Sequence, residues 1–221
     1  MQGSFLEGDV LRLHRQVKIC GFTRPDNVRE LGALEADAFG FVLFAKSRRA
    51  VREEELPELL AAVPERITPV LLLVDPELEQ VKRLGERFPE VMLQFHGKEP
   101  LELCEAAGLS YLKAVPWKAP GDLLEAERRY ASAVGILADC PAAKGAVPGG
   151  NGMAFDWKAA AEEARAMVKP LVLAGGLNAG NVVRAIEELS PAALDVSSGV
   201  EAAAGVKDFS QAKDFLERAR R

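Results

Sequence analysis

The chain has 221 residues, 48% of them hydrophobic, enough to bury one substantial core as a single α/β barrel or as two small domains. Its 28 basic and 33 acidic residues are spread along the chain for a formal net charge of -5, which offers nucleic acid no basic stripe and makes a small molecule the expected partner. Cys20, Cys104 and Cys140 contain no C-x-x-C pair and read as free thiols of a reducing compartment, the cytoplasm.

Residues 1–16 interrupt their apolar side chains with Glu7, Asp9, Arg12 and Arg15 and hold no continuous stretch for a signal peptide. They are read as an N-terminal extension, either a short helix at 9–14 against the outside of the fold or a poorly ordered tail. The domain proper is expected over 17–221, and no later run is long enough to span a membrane. Strand candidates then alternate with charged, helix-period segments. The strands fall near 17–20, 38–43, 69–74, 91–95, 111–114, 135–139, 170–174 and 194–197. The helices fall near 25–34, 52–62, 76–87, 99–107, 121–130, 157–167, 178–189 and 209–220. Eight βα units with no linker or low-complexity tract predict an α/β fold, a single (β/α)8 TIM barrel. An open doubly wound sheet is the competitor, but its dinucleotide form needs G-x-G-x-x-G where this chain has Cys20-Gly21-Phe22-Thr23.

In such a barrel the chemistry sits at the carboxyl ends of the strands. Cys20 closes the first strand, Arg49 follows the second, Gln94 and His96 end the fourth, and Asp139 closes the sixth. Gly175 and Gly176 follow the seventh strand, and Ser197, Ser198 and Gly199 the eighth, so those two loops together point to a phosphate site. Each residue also has a plain reading. Cys20 can be an inert buried thiol, Asp139 a cap, the Lys46–Arg49 loop a solvated turn, His96 a histidine satisfied by backbone, and the glycine pair a tight turn. His14 and His96 are the only histidines and lie far apart, so metal catalysis has no footing.

The segment Val17-Lys18-Ile19-Cys20-Gly21-Phe22-Thr23-Arg24-Pro25 resembles the opening signature of the phosphoribosylanthranilate isomerases. Residues 36–42, 46–49, Gln94-Phe95-His96-Gly97, 173–177, 195–201 and 205–208 resemble further segments of that family in the same order, so the likeness runs from Val17 to the C-terminus. The resemblance implies a tryptophan-biosynthesis enzyme that rearranges N-(5'-phosphoribosyl)anthranilate to 1-(2-carboxyphenylamino)-1-deoxyribulose 5-phosphate, as monomer or homodimer, without metal or organic cofactor. It carries the general base onto Cys20, the general acid onto Asp139 and the arginine for the anthranilate carboxylate onto Arg49. Gly175, Gly176, Ser198 and Gly199 match phosphate contacts, and Gln94, His96, Asp195 and Ser197 are further expected substrate contacts.

The likeness frays at Asn151 and Met153, where the family commonly has Thr or Ser and Lys, at Ala138, and at Ala45 and Arg48, which stand for prolines. Arg48 and Arg49 are thus interchangeable candidates for the carboxylate. A non-catalytic phosphate-ligand barrel and a different sugar-phosphate isomerase are the alternatives.

Overall fold

A computed structural model describes residues 5–6, 15–139 and 157–220. Eight parallel strands close into a barrel, each paired with the next and the eighth with the first. They are β1 (Gln16–Cys20), β2 (Ala38–Val42), β3 (Thr68–Leu73), β4 (Met92–Phe95), β5 (Tyr111–Pro116), β6 (Gly135–Asp139), β7 (Leu171–Ala174) and β8 (Ala193–Val196). Between and after them run α1 (Pro25–Leu31), α2 (Leu56–Ala61), α3 (Leu78–Arg87), α4 (Leu101–Glu105), α5 (Asp122–Arg129), α6 (Trp157–Ala166), α7 (Val182–Leu189) and α8 (Phe209–Ala219). The expected (β/α)8 barrel is the observed one. What excludes an open sheet is the closing ladder, in which Val17, Lys18 and Ile19 stand opposite Leu194, Asp195 and Val196.

Strand side chains alternate between the two faces of the sheet, and both faces are covered, so each strand reads as a nearly unbroken apolar run. In β1, Val17 and Ile19 join Val28, Leu31 and Phe215 in the layer between sheet and helices. Lys18 and Cys20 occupy the alternate positions, which face the lumen. Phe22 extends the outer layer, its ring centroid 4.5 Å from that of Phe39.

Several ends differ from the sequence pattern for local reasons. The first helix stops at Leu31 because Gly32 takes its C-cap. Pro57 lacks an N–H and fits only in a first turn, so α2 starts late and a 3-10 turn, Glu53–Glu55, precedes it. A short antiparallel pair, β9 (Glu201–Ala203) and β10 (Val206–Lys207), follows the eighth strand and was not expected. Glu163 of α6 is buried and accepts from the Trp117 indole at 2.9 Å and from the Leu123 and Leu124 amides at 2.7 and 3.0 Å. These are first-turn amides of α5, where a carboxylate also meets the favourable end of the helix dipole.

The amino ends of the strands form an apolar floor. Phe5 is fully buried there and clusters with Ala38, Val70, Met92, Leu112, Leu137, Val172 and Ala193. Its amide donates to Thr68 Oγ1 at 2.9 Å, and the Leu6 amide donates to Gln16 Oε1 at 3.0 Å. Small residues at the strand starts make the space, since a Cβ on Gly135 would come within 2.7 Å of Leu6 Cδ1. The two described residues of the extension therefore pack inside the barrel; the helix considered at 9–14 lies outside the described residues.

Candidate active site

The carboxyl ends of the strands carry the polar residues, on the side chains whose parity turns them into the lumen. Cys20 ends β1 with 5% of its surface exposed and lies against Val42 and Leu72. Its neighbour across the β1–β2 ladder is Gly40, where an added Cβ would come within 2.6 Å of the Cys20 sulfur. Glycine is what leaves room for the thiol at this position. Burial pushes the Cys20 thiol up, while Lys18, foremost among its neighbours, pulls it back.

Asp139 ends β6 on the parity of Leu137, and its carboxylate is about two-fifths exposed. His96 Nε2 stands 3.1 Å from Asp139 Oδ2, and His96 Nδ1 stands 3.2 Å from Gln94 Nε2. With the amide donating to Nδ1, the ring proton is on Nε2 and points at the carboxylate. Gln94 Oε1 is buried and meets no donor among the described residues. The turn that carries His96 is held from below. Lys113 Nζ donates to Phe95 O, Gly97 O and Glu99 Oε2 at 2.9 to 3.1 Å, and Glu99 Oε1 accepts from the Gly97 and Asp75 amides. Gln94, His96 and Asp139 are thus a connected set, as their strand-end positions suggested.

Arg49 reaches across the mouth and grips Glu201 with two bonds, 2.7 Å from Nε and 2.6 Å from Nη2. Its Cδ would be 2.5 Å from a Cβ on Gly21, so the arginine passes directly over the residue that follows Cys20. Arg48 is exposed to solvent. Lys207 Nζ also reaches Glu201, at 2.7 Å, and lies 3.4 Å from Ser197 Oγ. Hydrogen bonds from Arg49 and Lys207 overcome the effect of burial and hold the Glu201 carboxyl down to about 2. Asp195 lies deeper, with both oxygens 2.9 Å from Lys18 Nζ.

The loops after β7 and β8 are joined by a bridge between Asn178 and Gly199. A Cβ on Gly199 would sit 1.9 Å from Leu177 O, so the approach is open to glycine alone. Gly175 and Gly176 have φ of 92° and 67°, left-handed values that favour glycine. The structure brings Gly175, Gly176, Ser197, Ser198 and Gly199 together on one side of the mouth. Cys104 packs on α4, with its thiol raised by burial to about 12. Among the described residues no group of three or more His, Cys, Asp or Glu could hold a metal, and no helix is long and apolar enough to cross a membrane. His14, Cys140, Asn151 and Met153 lie outside the described residues.

Comparison with known proteins gives this mouth its context. Residues 17–218 match the family model described as N-(5'phosphoribosyl)anthranilate (PRA) isomerase. The chain belongs to this isomerase family. It is 41% identical over 205 residues to the N-(5'-phosphoribosyl)anthranilate isomerase of Pseudomonas aeruginosa PAO1, covering 93% of this chain and 95% of that protein. The crystal structure of phosphoribosyl anthranilate isomerase from Thermotoga maritima superposes with a TM-score of 0.81 at 34% identity, over 93% of this chain and 98% of that one. A phosphoribosyl anthranilate isomerase solved with reduced 1-(o-carboxyphenylamino)-1-deoxyribulose 5-phosphate has a TM-score of 0.79 at 33% identity, with coverage of 93% and 98%.

Against this isomerase family, sequence reasoning named the mouth but passed over Lys18, Gly40 and Lys207 and gave Glu201 no role of its own. The available signal was parity. A lysine at a lumen-facing position of β1 and an aspartate at the matching register of β8 have nowhere to go except to each other.

Proposed function

We propose that the chain catalyses the Amadori rearrangement of N-(5'-phosphoribosyl)anthranilate to 1-(2-carboxyphenylamino)-1-deoxyribulose 5-phosphate in tryptophan biosynthesis. The observation that carries the reading is a buried thiol and a histidine-linked carboxyl group at the carboxyl ends of two strands of one lumen, beside paired glycine-rich loops. Membership of the isomerase family over residues 17–218 supplies the substrate class, a phosphorylated small molecule. The reading is for a monomer or a homodimer, and the cytoplasm suits a biosynthetic enzyme of this kind.

The division of labour follows from the chemistry. Asp139, oriented by His96 with Gln94 behind it, protonates the ribose ring oxygen, and the C1'–O bond opens to a protonated Schiff base. The cationic nitrogen acidifies the adjacent C2'–H, and the Cys20 thiolate takes that proton to leave an enolamine. Ketonisation moves the enol proton's equivalent to C1' and completes an isomerisation with no net gain or loss of atoms. Arg49 is the group for the anthranilate carboxylate, which would take up its fork in competition with Glu201. Backbone amides of Gly175, Gly176, Ser198 and Gly199, with Ser197 beside them, suit the phosphate at the other end. Asp195 supports the set from beneath Cys20. Holding the substrate at both ends keeps C2' over the sulfur while its middle rearranges.

The test is conversion of freshly made N-(5'-phosphoribosyl)anthranilate, followed by loss of its fluorescence and coupled to the next enzyme, in the presence of a chelator. Turnover unaffected by the chelator is the expected result. A folded protein that consumes no substrate would leave the phosphate-ligand barrel as the surviving reading, and binding of other phosphosugars by calorimetry would identify it.

A further inference from the structure

The charges around Cys20 do not balance without it. Lys18 is fully buried two residues before Cys20 on the same lumen-facing parity, and both of its short contacts go to Asp195. Arg49 and Lys207 share the single carboxylate of Glu201 above the thiol, at 2.6 and 2.7 Å. Arg49 crosses over Gly21, and the Ser197 oxygen next to Lys207 would be 3.2 Å from a Cβ there, so both reach the residue adjoining Cys20. The groups from the elements packed on this thiol are therefore three cations, Lys18, Arg49 and Lys207, and two carboxylates, Asp195 and Glu201. The β2 and β3 neighbours, Gly40, Val42 and Leu72, carry no charge.

We propose that Lys18 is a positioning residue for the base, and that the one positive charge left over in this cluster is the electrostatic counterpart of a Cys20 thiolate. The proposal rests on the reading of Cys20 as the general base and explains how so enclosed a sulfur can serve. Burial drives a thiol toward its neutral form, and a fixed cation within the same low-dielectric space opposes that most effectively. The Lys18 charge, two residues away on the same lumen-facing parity, pulls the thiol toward its ionised form, while Asp195 pushes the other way. In that arrangement Asp195 keeps Lys18 charged, whereas burial alone would have favoured its neutral amine. A buried pair of this kind adds little to stability over a well-packed apolar pair, which leaves the state of the sulfur as its use.

The experiment is a titration of thiolate ultraviolet absorbance, taken as the difference between each protein and its own Cys20→Ala version, alongside the pH profile of kcat/KM. In Lys18→Met the thiolate midpoint should rise by about one pH unit or more, and the acid limb of kcat/KM should move up with it. In Lys18→Arg, which keeps the cation, the midpoint should stay near that of the parent. A lysine with only a packing role would leave the midpoint of Lys18→Met unchanged, and a folded Lys18→Met with that result overturns the proposal. Should Lys18→Met fail to fold, Lys18→Gln, which loses the charge but can still donate to Asp195, decides the matter, a raised midpoint supporting the proposal and an unchanged or lowered one refuting it. Full isomerase activity in Cys20→Ala would instead remove the base assignment, a separate result that leaves the titration itself standing.

Discussion

At the amino ends of the strands the lumen is filled by Phe5, Ala38, Met92, Leu112 and Ala193, whereas at the carboxyl ends it is lined by Cys20, Gln94, Asp139 and Ser197. The floor is apolar and closed by a side chain from outside the eight βα units. The mouth is polar, and its charged groups are tied to one another in pairs and triads. One closed sheet thus separates two tasks along its axis, with burial supplying stability at one end and fixed polar groups supplying chemistry at the other.

Substitutions at the two ends should therefore separate rate from stability. The largest effect belongs to the mouth. Cys20→Ala and Asp139→Asn should each lower kcat by about 10²- to 10⁴-fold in the steady-state assay, with thermal melting close to that of the parent. Next comes the floor. Phe5→Ala removes a fully buried ring and should cost about 3–5 kcal/mol in denaturant unfolding while leaving kcat/KM as it was. A loss of activity in the folded Phe5 variant would break the separation.

Gly40→Ala lies on the boundary between the two tasks. Its Cβ would collide with the Cys20 sulfur, and the displaced thiol should cost on the order of 10²-fold in kcat, since a misplacement near 1 Å has that scale of effect. The smallest effect concerns pH. Glu201 is held from its ordinary 4.5 down to about 2, so its ion pairs contribute stability that is present above the ordinary value and lost as pH falls through about 2. Melting temperature in that window should fall in the parent and stay flatter in Glu201→Gln.

The fold was legible because its signal is periodic. Short apolar runs and amphipathic helices repeat eight times, and the strand-end rule then puts Cys20, Gln94, His96 and Asp139 at one mouth from the sequence alone. What stayed hidden depends on partners distant in sequence. Lys18 meets Asp195 across 177 positions, and nothing local to Gln16-Val17-Lys18-Ile19-Cys20 says that its lysine is buried and paired. Gly40 reads as one small residue in an apolar strand, and its purpose emerges only when β1 stands beside it. Phe5 sits in a stretch whose charges suggested an outer position, yet its ring is what the small residues at the strand starts accommodate.

A crystal structure with the reduced form of 1-(2-carboxyphenylamino)-1-deoxyribulose 5-phosphate tests the division of the lumen most directly. The account predicts the ligand at the mouth, with the Cys20 sulfur in contact with C2', the Asp139 carboxyl within hydrogen-bond reach of the sugar oxygen it protonates, and Phe5 unmoved below. A ligand bound with either the sulfur or the carboxyl out of reach of the sugar would contradict it.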